Sequence, residues 1–315
     1  MSELRIGLIG GTGLGALLAE QPATQRHTLD TPFGRPSDAI LETEWAGTPV
    51  LLLNRHGPGH LLNPSQVNYR ANIYALKALG CTHILASGAV GSLREEIQPR
   101  DLVIVDQVID KTRRPATFFE NAAVHVEFAE PFCPVMRQIL IEAAEPGDST
   151  SPPAAGTDSA RRHRVHARGT YVCMEGPAFS TRAESLMHRL WGGDVIGMTA
   201  MPEAKLAREA EISYALIALV TDYDCWKPHT TPAGEAPDPF KLLNEIIGHL
   251  KDATGHAIEL MKRAVVEMSR RRDDLARCPA QHALKLAIWS DKAAIPPEER
   301  KRLAPLWMKY FQSEP

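Results

Sequence analysis

RIGLIGGTG, residues 5–13, joins a short apolar run to a turn rich in glycine. Arg5–Ile9 has the length and β-branched content of a buried strand, and the pattern recurs. Strands are therefore also predicted over Pro49–Leu53, His83–Ala86, Leu102–Val105, Thr170–Cys173 and Tyr214–Val220. Helical periodicity predicts helices over Val67–Leu79, Pro134–Ala144, Arg182–Trp191, Pro202–Ala210 and Phe240–Met268. This alternation is typical of an α/β fold with a central sheet, and such folds bind ligands at strand ends.

Composition narrows the class of protein. The chain has 315 residues, 44% of them hydrophobic, and a formal net charge of -3. There is no basic excess to indicate a nucleic-acid partner. No apolar run reaches about 18 residues, so no membrane span is expected. The five cysteines are widely spaced without a C-x-x-C pair, which favours reduced thiols in a cytoplasmic protein and no metal site.

The remaining segments set the expected domain organisation. Residues 145–168 hold Pro, Ser, Gly, Ala and a basic run, and are predicted to be a surface loop, as is Pro-rich 230–239. The tail 280–311 is predicted to form two shorter helices that meet at Ile295-Pro296-Pro297. We expect one domain over residues 1–270, with residues 271–315 as a helical extension packed on it.

The first glycine cluster has two functional interpretations. Gly11, Gly13 and Ala16 formally match a dinucleotide-binding fingerprint, but Asp30 lies in a turn and not at the strand end that this fingerprint requires. An anion site is simpler, because glycines let the backbone approach an anion and Thr12 can donate to it. A tight turn without a ligand is the structural alternative.

Two later turns repeat this anion-binding character. Arg55 and His56 follow a predicted strand, where a guanidinium suits bidentate contact with phosphate, and His60 could reach a second pocket. The alternative is a solvated Arg and His on a loop. Gly88 and Ala89 follow the next strand, and their backbone N–H groups could hold an anion or a sugar. Parallel strands bring such ends together, so the three turns predict one phosphate-sized site.

The motifs together identify a family. Nine stretches match in order from residue 6 to residue 227: IGLIGGTGL, DTPFGRPSDA, NRHGPGH, NPSQVNYRANIYALKALGCTHIL, GAVGSLREEIQP, AEPFCP, MEGPAFSTRAES, VIGMTAMPEAKLAREA and VTDYDCWK. With them the chain resembles the trimeric purine nucleoside phosphorylases, and within these the S-methyl-5′-thioadenosine phosphorylases. The resemblance implies one α/β domain with a mixed central sheet flanked by helices, a homotrimer, and no cofactor beyond inorganic phosphate as co-substrate.

The resemblance also implies a role for each site residue. Phosphate would be held by Thr12, Arg55, His56, Gly88, Ala89 and Thr199. The nucleoside would be held by His60, Phe179, Ser180, Met198, Asp222, Tyr223 and Asp224, with His125 supplied by the neighbouring subunit near the 5′ group. Asp222, Asp224 and His56 are the expected catalytic residues. Pro237, Phe240 and Leu243 are candidates for the 5′ pocket.

The acidic pair suits the expected chemistry. Phosphorolysis breaks the bond between C1′ and a purine nitrogen, and a protonated Asp222 could donate to N7 of the departing base. Asp224 could accept a hydrogen from a 6-amino group, whereas a 6-oxo group would face it acceptor to acceptor. The expected reaction converts S-methyl-5′-thioadenosine and phosphate to adenine and 5-methylthioribose 1-phosphate.

Other interpretations stay open at this point. A phosphorylase of adenosine, methylthioinosine or a 6-oxopurine nucleoside, a hydrolytic nucleosidase, and a purine-binding protein without activity are the alternatives. Phe179 and Met198 could be plain core residues, and Asp222 and Asp224 could cap a helix or a turn. Glu203 is interpreted as a residue that caps the helix starting at Pro202.

Overall fold

The computed structural model describes residues 3–12, 24–45, 47–144, 163–228 and 238–311. Its strands are β1 Ile6–Gly10, β2 Gln25–His27, β3 Ile40–Trp45, β4 Thr48–Asn54, β5 His83–Ser92, β6 Leu102–Ile104, β7 Gln107–Asp110, β8 Val165–His166, β9 Thr170–Cys173, β10 Val195–Gly197 and β11 Ser213–Tyr223. Its α-helices are α1 Tyr69–Ala78, α2 Pro134–Ala143, α3 Arg182–Leu190, α4 Glu203–Glu209, α5 Pro239–Arg270, α6 Arg272–Ala276, α7 Pro297–Arg302 and α8 Ala304–Trp307. None of these described helices is both long and apolar enough to cross a membrane.

The described strands form one mixed sheet. Its main order is β2-β3-β4-β1-β5-β10-β9-β7, and β11 lies beside β5 and β6, with β8 next to β6. β1 is parallel to β4 and β5, and β11 is parallel to β5, so these four strands end at the same edge. β5 and β10 are antiparallel. The predicted α/β class with a mixed sheet is confirmed.

Alternation along β11 explains why helices cover both faces of the sheet. Successive side chains of a strand point to opposite faces. Leu216 and Val220 belong to one core cluster, together with Leu206 of α4. Ile217 and Leu219 belong to a second cluster, which α2 and α5 complete. With both faces buried, β11 is a nearly continuous apolar run, which is why the sequence predicts it well.

The strands missing from the prediction are those without such a run. In β3 the side chains of Glu42 and Glu44 are not buried and interrupt the apolar pattern, and β7 is half-buried throughout. Val165–His166 pairs with β6 as β8, so the predicted loop over 145–168 is wrong at this point. Residues 145–162 and 229–237 lie outside the described residues.

The tail departs further from the prediction. Pro279–His282 forms only a short 3-10 helix, and the α-helices begin after Pro296, so the first of the two predicted tail helices is wrong. The tail nevertheless contributes to the main core through the fully buried Trp307, whose ring lies 4.8 Å from that of Phe119. The division of the chain near residue 270 stays a prediction.

Candidate active site

A cavity of about 390 Å³ opens at the common edge of β1, β4, β5 and β11. This volume is within the usual range for small-ligand sites. Eleven of the residues predicted from the sequence line it: Thr12, Arg55, His56, His60, Gly88, Ala89, Phe179, Met198, Thr199, Asp222 and Asp224. The sheet topology therefore brings the glycine turns, the basic segment and the acidic pair to one place.

The turns after β1 and β4 are packed directly against β5. The prediction that Gly88 and Ala89 follow a strand is wrong, because both residues belong to β5. The backbone N–H of Arg55 donates to Gly10 O at 3.0 Å. A Cβ atom at Gly11 would lie 2.7 Å from Arg55 Nη1 and 2.9 Å from Ser87 O, so only glycine fits there. A Cβ atom at Gly88 would come within 3.2 Å of Thr199 Oγ1, which brings a fourth segment to the same point.

Arg55 is fixed by a buried ion pair that the sequence interpretation did not anticipate. Its Nε and Nη2 donate to the two carboxylate oxygens of Glu203, each at 2.7 Å, and its Nη1 donates to Ser87 O at 2.7 Å. Both charged side chains are fully buried. A guanidinium has five N–H groups, so two remain for a ligand. The bidentate edge formed by Nε and Nη2 faces Glu203, not the cavity.

Glu203 is thus a buried anchor and not a helix cap. Tyr214 Oη donates to Glu203 Oε1 at 2.8 Å, which gives the carboxylate three donors. Burial lowers the pKa of Arg55, but the Glu203 charge more than offsets this, so the pKa stays above its ordinary value. Burial also raises the pKa of the Tyr214 hydroxyl, and the Glu203 charge adds to this. Arg55 is permanently cationic and Tyr214 is a permanent donor.

His56 is held as a neutral imidazole. Its Nδ1 lies 2.8 Å from Leu62 O, and because a carbonyl only accepts, Nδ1 carries the proton. Burial lowers the pKa of His56 to about 4, and the Arg55 charge adds to this. Its ring stacks on that of His60 with centroids 4.2 Å apart. In the neutral form Nε2 is an acceptor, suited to a ligand O–H.

The acidic pair lines the cavity next to Gly91 of β5, three residues further along this strand than Gly88, which faces Thr199. The register of β11 against β5 shifts between Val220 and Asp222, so an irregularity precedes the pair. Thr221 Oγ1 donates to Asp222 Oδ1 at 2.7 Å. Asp224 is buried, its N–H donates to Ser92 O at 2.9 Å, and its Oδ2 has no hydrogen-bond partner among the described residues. This end offers a buried acceptor beside a second carboxyl group.

Five of the described residues predicted for the site do not line the cavity: Ser180, Tyr223, His125 and the 5′-pocket candidates Phe240 and Leu243. Tyr223 Oη donates to Glu95 O at 3.2 Å, since alternation along β11 turns Tyr223 away from its two neighbours. Ser180 lies beside Met174, which does line the cavity, with 3.8 Å between Oγ and Sδ. His125 is exposed, and its ring lies 4.7 Å from that of Trp289.

Sequence reasoning missed several residues near the site besides Glu203. Arg114 is buried, and its Nη1 donates to Met198 O at 2.7 Å, to Tyr69 Oη at 2.9 Å and to Met201 O at 3.1 Å. Ile246 and Leu250 of α5 line the apolar side, about one and two turns beyond the candidate Leu243. Their helical spacing from Leu243 could have identified Ile246 and Leu250 in the sequence. No pattern in the sequence indicates that Arg114 lies at the site.

Comparison with known proteins decides the family. Residues 5–265 match the phosphorylase superfamily. The chain belongs to this superfamily. It is 46% identical over 304 residues to the S-methyl-5′-thioadenosine phosphorylase of Geobacter sulfurreducens, which covers 96% of this chain and 97% of that protein.

Solved structures of phosphorylases also resemble this chain in fold and sequence. A methylthioadenosine phosphorylase from an antarctic soil metagenomic library superposes with a TM-score of 0.80 at 43% identity, covering 97% of this chain and 99% of that one. The methylthioadenosine phosphorylase of Schistosoma mansoni in complex with adenine has a TM-score of 0.79 at 37% identity, covering 91% of this chain and 99% of that one. The resemblance seen in the motifs is confirmed.

Proposed function

We propose that this phosphorylase converts S-methyl-5′-thioadenosine and inorganic phosphate to adenine and 5-methylthioribose 1-phosphate. The observation that carries the proposal is the joint placement of two subsites in one cavity. Thr12, Arg55, Thr199, Asp222 and Asp224 all line it; Thr199 lies at Gly88 of β5, and the acidic pair lies at Gly91, three residues further along the strand. A nucleoside between them would present C1′ to phosphate and its purine to the carboxyl groups.

At the phosphate end, Glu203 and Ser87 O fix the guanidinium of Arg55 before the ligand arrives. The two free N–H groups of Arg55, the Thr12 and Thr199 hydroxyls and the backbone at Gly88 and Ala89 supply the contacts. Neutral His56 contributes Nε2 as an acceptor for the O–H of monoprotonated phosphate or for a ribose hydroxyl. Donors fixed before binding need no reorganisation during the reaction, which is the usual source of electrostatic catalysis.

At the base end, the reaction needs one proton. The C1′–N9 bond breaks while a phosphate oxygen bonds to C1′, and the electron pair leaves with the purine. Asp222 as a carboxylic acid donates its proton to N7, so adenine departs neutral, a contribution worth about 10²–10⁴-fold. The unpartnered Asp224 Oδ2 accepts from the 6-amino group. The solved Schistosoma enzyme in complex with adenine supports a 6-aminopurine.

The 5′ end favours an apolar substituent. Ile246 and Leu250 of α5 line this side of the cavity. A methylthio group gains more than a hydroxyl from burial among such side chains. This supports methylthioadenosine over adenosine, which the acidic pair alone does not distinguish.

The proposal includes a homotrimer. Leu190, Leu286 and Trp289 are large apolar residues with most of their surface exposed in the single chain. Large apolar side chains left this exposed in a single chain are compatible with a protein interface. His125 lies beside Trp289 and would reach a neighbour's 5′ group, as the family resemblance implies. Sedimentation equilibrium tests this, and a monomer at micromolar concentration would contradict it. A cytoplasmic location stays a prediction.

One assay tests the reaction and the base assignment together. Methylthioadenosine, adenosine and inosine are each offered with and without phosphate, and base release is followed by chromatography. Release from methylthioadenosine should require phosphate; release without it would refute phosphorolysis. Asp222→Asn and Asp224→Asn should shift preference towards inosine. Asp252→Asn, which removes a half-exposed carboxylate paired with Arg100, is the matched control and should leave preference unchanged.

A further inference from the structure

The buried face of α3 carries two polar side chains that have no role in the phosphorolysis mechanism proposed above. Ser185 and His188 are three residues apart in α3, so they share one face of the helix, and both are buried. The opposite face bears Leu186 and Leu190, which are exposed. A helix normally buries its apolar face and exposes its polar one. In α3 this order is reversed.

Neither ring nitrogen of His188 has a hydrogen-bond partner among the described residues, and the same is true of Asp224 Oδ2. Only 3% of His188 and 9% of Asp224 is exposed. Buried polar atoms without a partner cost about 1–3 kcal/mol each, so such groups in native proteins usually have a functional reason.

α3 is packed against the strand end that carries Asp224. Arg189 lies with its guanidinium 3.5 Å from the centre of the Trp226 ring, and its Nη1 donates to Leu93 O at 2.7 Å. The Cys225 thiol donates to Ser180 O at 3.2 Å, just before α3 begins. These contacts fix the polar face of α3 beside residue 224, and not beside the phosphate end.

The charges around His188 settle its protonation. Burial lowers the pKa of His188, and the Lys111 ammonium lowers it further. The carboxylates of Asp224 and Glu184 raise this pKa, but by less, so it stays below its ordinary value. His188 is therefore neutral at neutral pH and has one N–H donor and one acceptor. The Asp224 charge acts on His188, but no hydrogen bond joins the two side chains among the described residues. A water molecule can bridge two such polar groups.

We propose that His188 is a positioning residue for base recognition, which donates through a bridging water to Asp224 and holds this carboxylate as an acceptor for the 6-amino group. The proposal rests on the proposed function, because it gives His188 a target only if Asp224 reads the base. A carboxylate has lone pairs for both partners, so the contact with His188 leaves the side facing the base free. Without this donor, Asp224 is free to turn or to take up a proton, and the site then tolerates a 6-oxo group.

The test is the ratio of kcat/KM for adenosine to that for inosine, with phosphate saturating. His188→Met removes the donor and should lower the ratio about tenfold, the effect of one hydrogen bond to a charged group. His188→Gln retains an N–H donor and should restore most of the ratio. His83→Met is the control, because His83 is equally buried but lies at the opposite end of β5. It should leave the ratio unchanged.

Several outcomes overturn the proposal. A merely structural role would lower kcat/KM for both nucleosides equally in His188→Met, with no rescue by glutamine. If His188→Met misfolds, His188→Phe is used instead, and its ratio of kcat/KM for adenosine to that for inosine tests the same prediction. An unchanged ratio in these variants, with a lowered ratio in Asp224→Asn, would overturn the role of His188 and leave the base assignment intact. An unchanged ratio in Asp224→Asn would instead overturn the base assignment itself.

Discussion

Glu203 gives the sharpest test of how the phosphate end is built. Glu203→Gln keeps the shape of the side chain but replaces one carboxylate oxygen by an NH2 group. That group would face a donor of Arg55 at the present 2.7 Å, donor against donor. Because the pair is fully buried, removing one partner leaves an uncompensated charge, which typically costs about 3–5 kcal/mol.

Phosphate should recover part of this loss. In the variant the dianion becomes the nearest negative charge to Arg55, and it no longer meets the repulsion of the carboxylate behind it. A ligand at about 100 times its Kd stabilises the folded state by about 2.7 kcal/mol. The stabilisation by a given phosphate concentration should thus be larger in the variant than in the wild-type protein.

Urea unfolding measures both effects, in phosphate-free buffer and in saturating phosphate with ionic strength matched by chloride. Glu259→Gln is the control, because it removes a carboxylate from an exposed pair with Lys262 at 2.9 Å and should cost less than about 1 kcal/mol. Tyr214→Phe, which removes one donor from Glu203, should fall between the two. A loss in Glu203→Gln no larger than in Glu259→Gln would refute the anchoring role of the ion pair.

Three further predictions concern other residues of the same framework. Burial raises the pKa of the Glu209 carboxyl to about 7, although the hydrogen bond from Phe118 N–H acts to lower it. Ionisation of Glu209 therefore destabilises the folded state. This cost is absent below about pH 4.5 and complete above about pH 7, and Glu209→Gln should therefore gain about 3 kcal/mol of unfolding free energy over wild type between pH 4.5 and 8. Burial lowers the pKa of His56 to about 4, so its contribution to stability is lost as pH falls from about 6.5 to 4, and His56→Gln should flatten the acid side of a stability–pH curve. Arg114→Lys removes the guanidinium that donates to Met198 O. In steady-state kinetics it should raise KM for the nucleoside about tenfold and leave KM for phosphate unchanged.

The sequence predicts the parts of the fold and site that depend on local pattern. β1, β4, β5 and β11 are apolar runs because both faces of these strands are buried, and the motifs at their ends line one cavity. Parallel pairing alone accounts for that convergence. β3 escaped prediction because Glu42 and Glu44 point outward along an otherwise ordinary strand.

The partner of each charged residue could not be predicted locally. Arg55 and Glu203 are 148 residues apart in the chain, and nothing beside either residue shows that their side chains meet. Glu203 stands where a helix begins, so a capping role was the natural interpretation. For the same reason the burial of His188 was not foreseen, since the exposed leucines of α3 indicate an ordinary amphipathic helix facing the other way.

The ion pair changes what the phosphate end contributes to the reaction. If Arg55 were free, its charge would attract phosphate and also any other anion. Because Glu203 offsets that charge, we expect the proposed phosphate subsite to select by the direction of its donors: two N–H groups of Arg55, the hydroxyls of Thr12 and Thr199, and the backbone of β5 at Gly88 and Ala89. An acceptor at His56 Nε2 then favours an anion that carries an O–H group, as monoprotonated phosphate does and sulfate does not. On the proposed mechanism, selection of the nucleophile depends on donor and acceptor geometry fixed by buried residues, just as selection of the base is proposed to depend on Asp224.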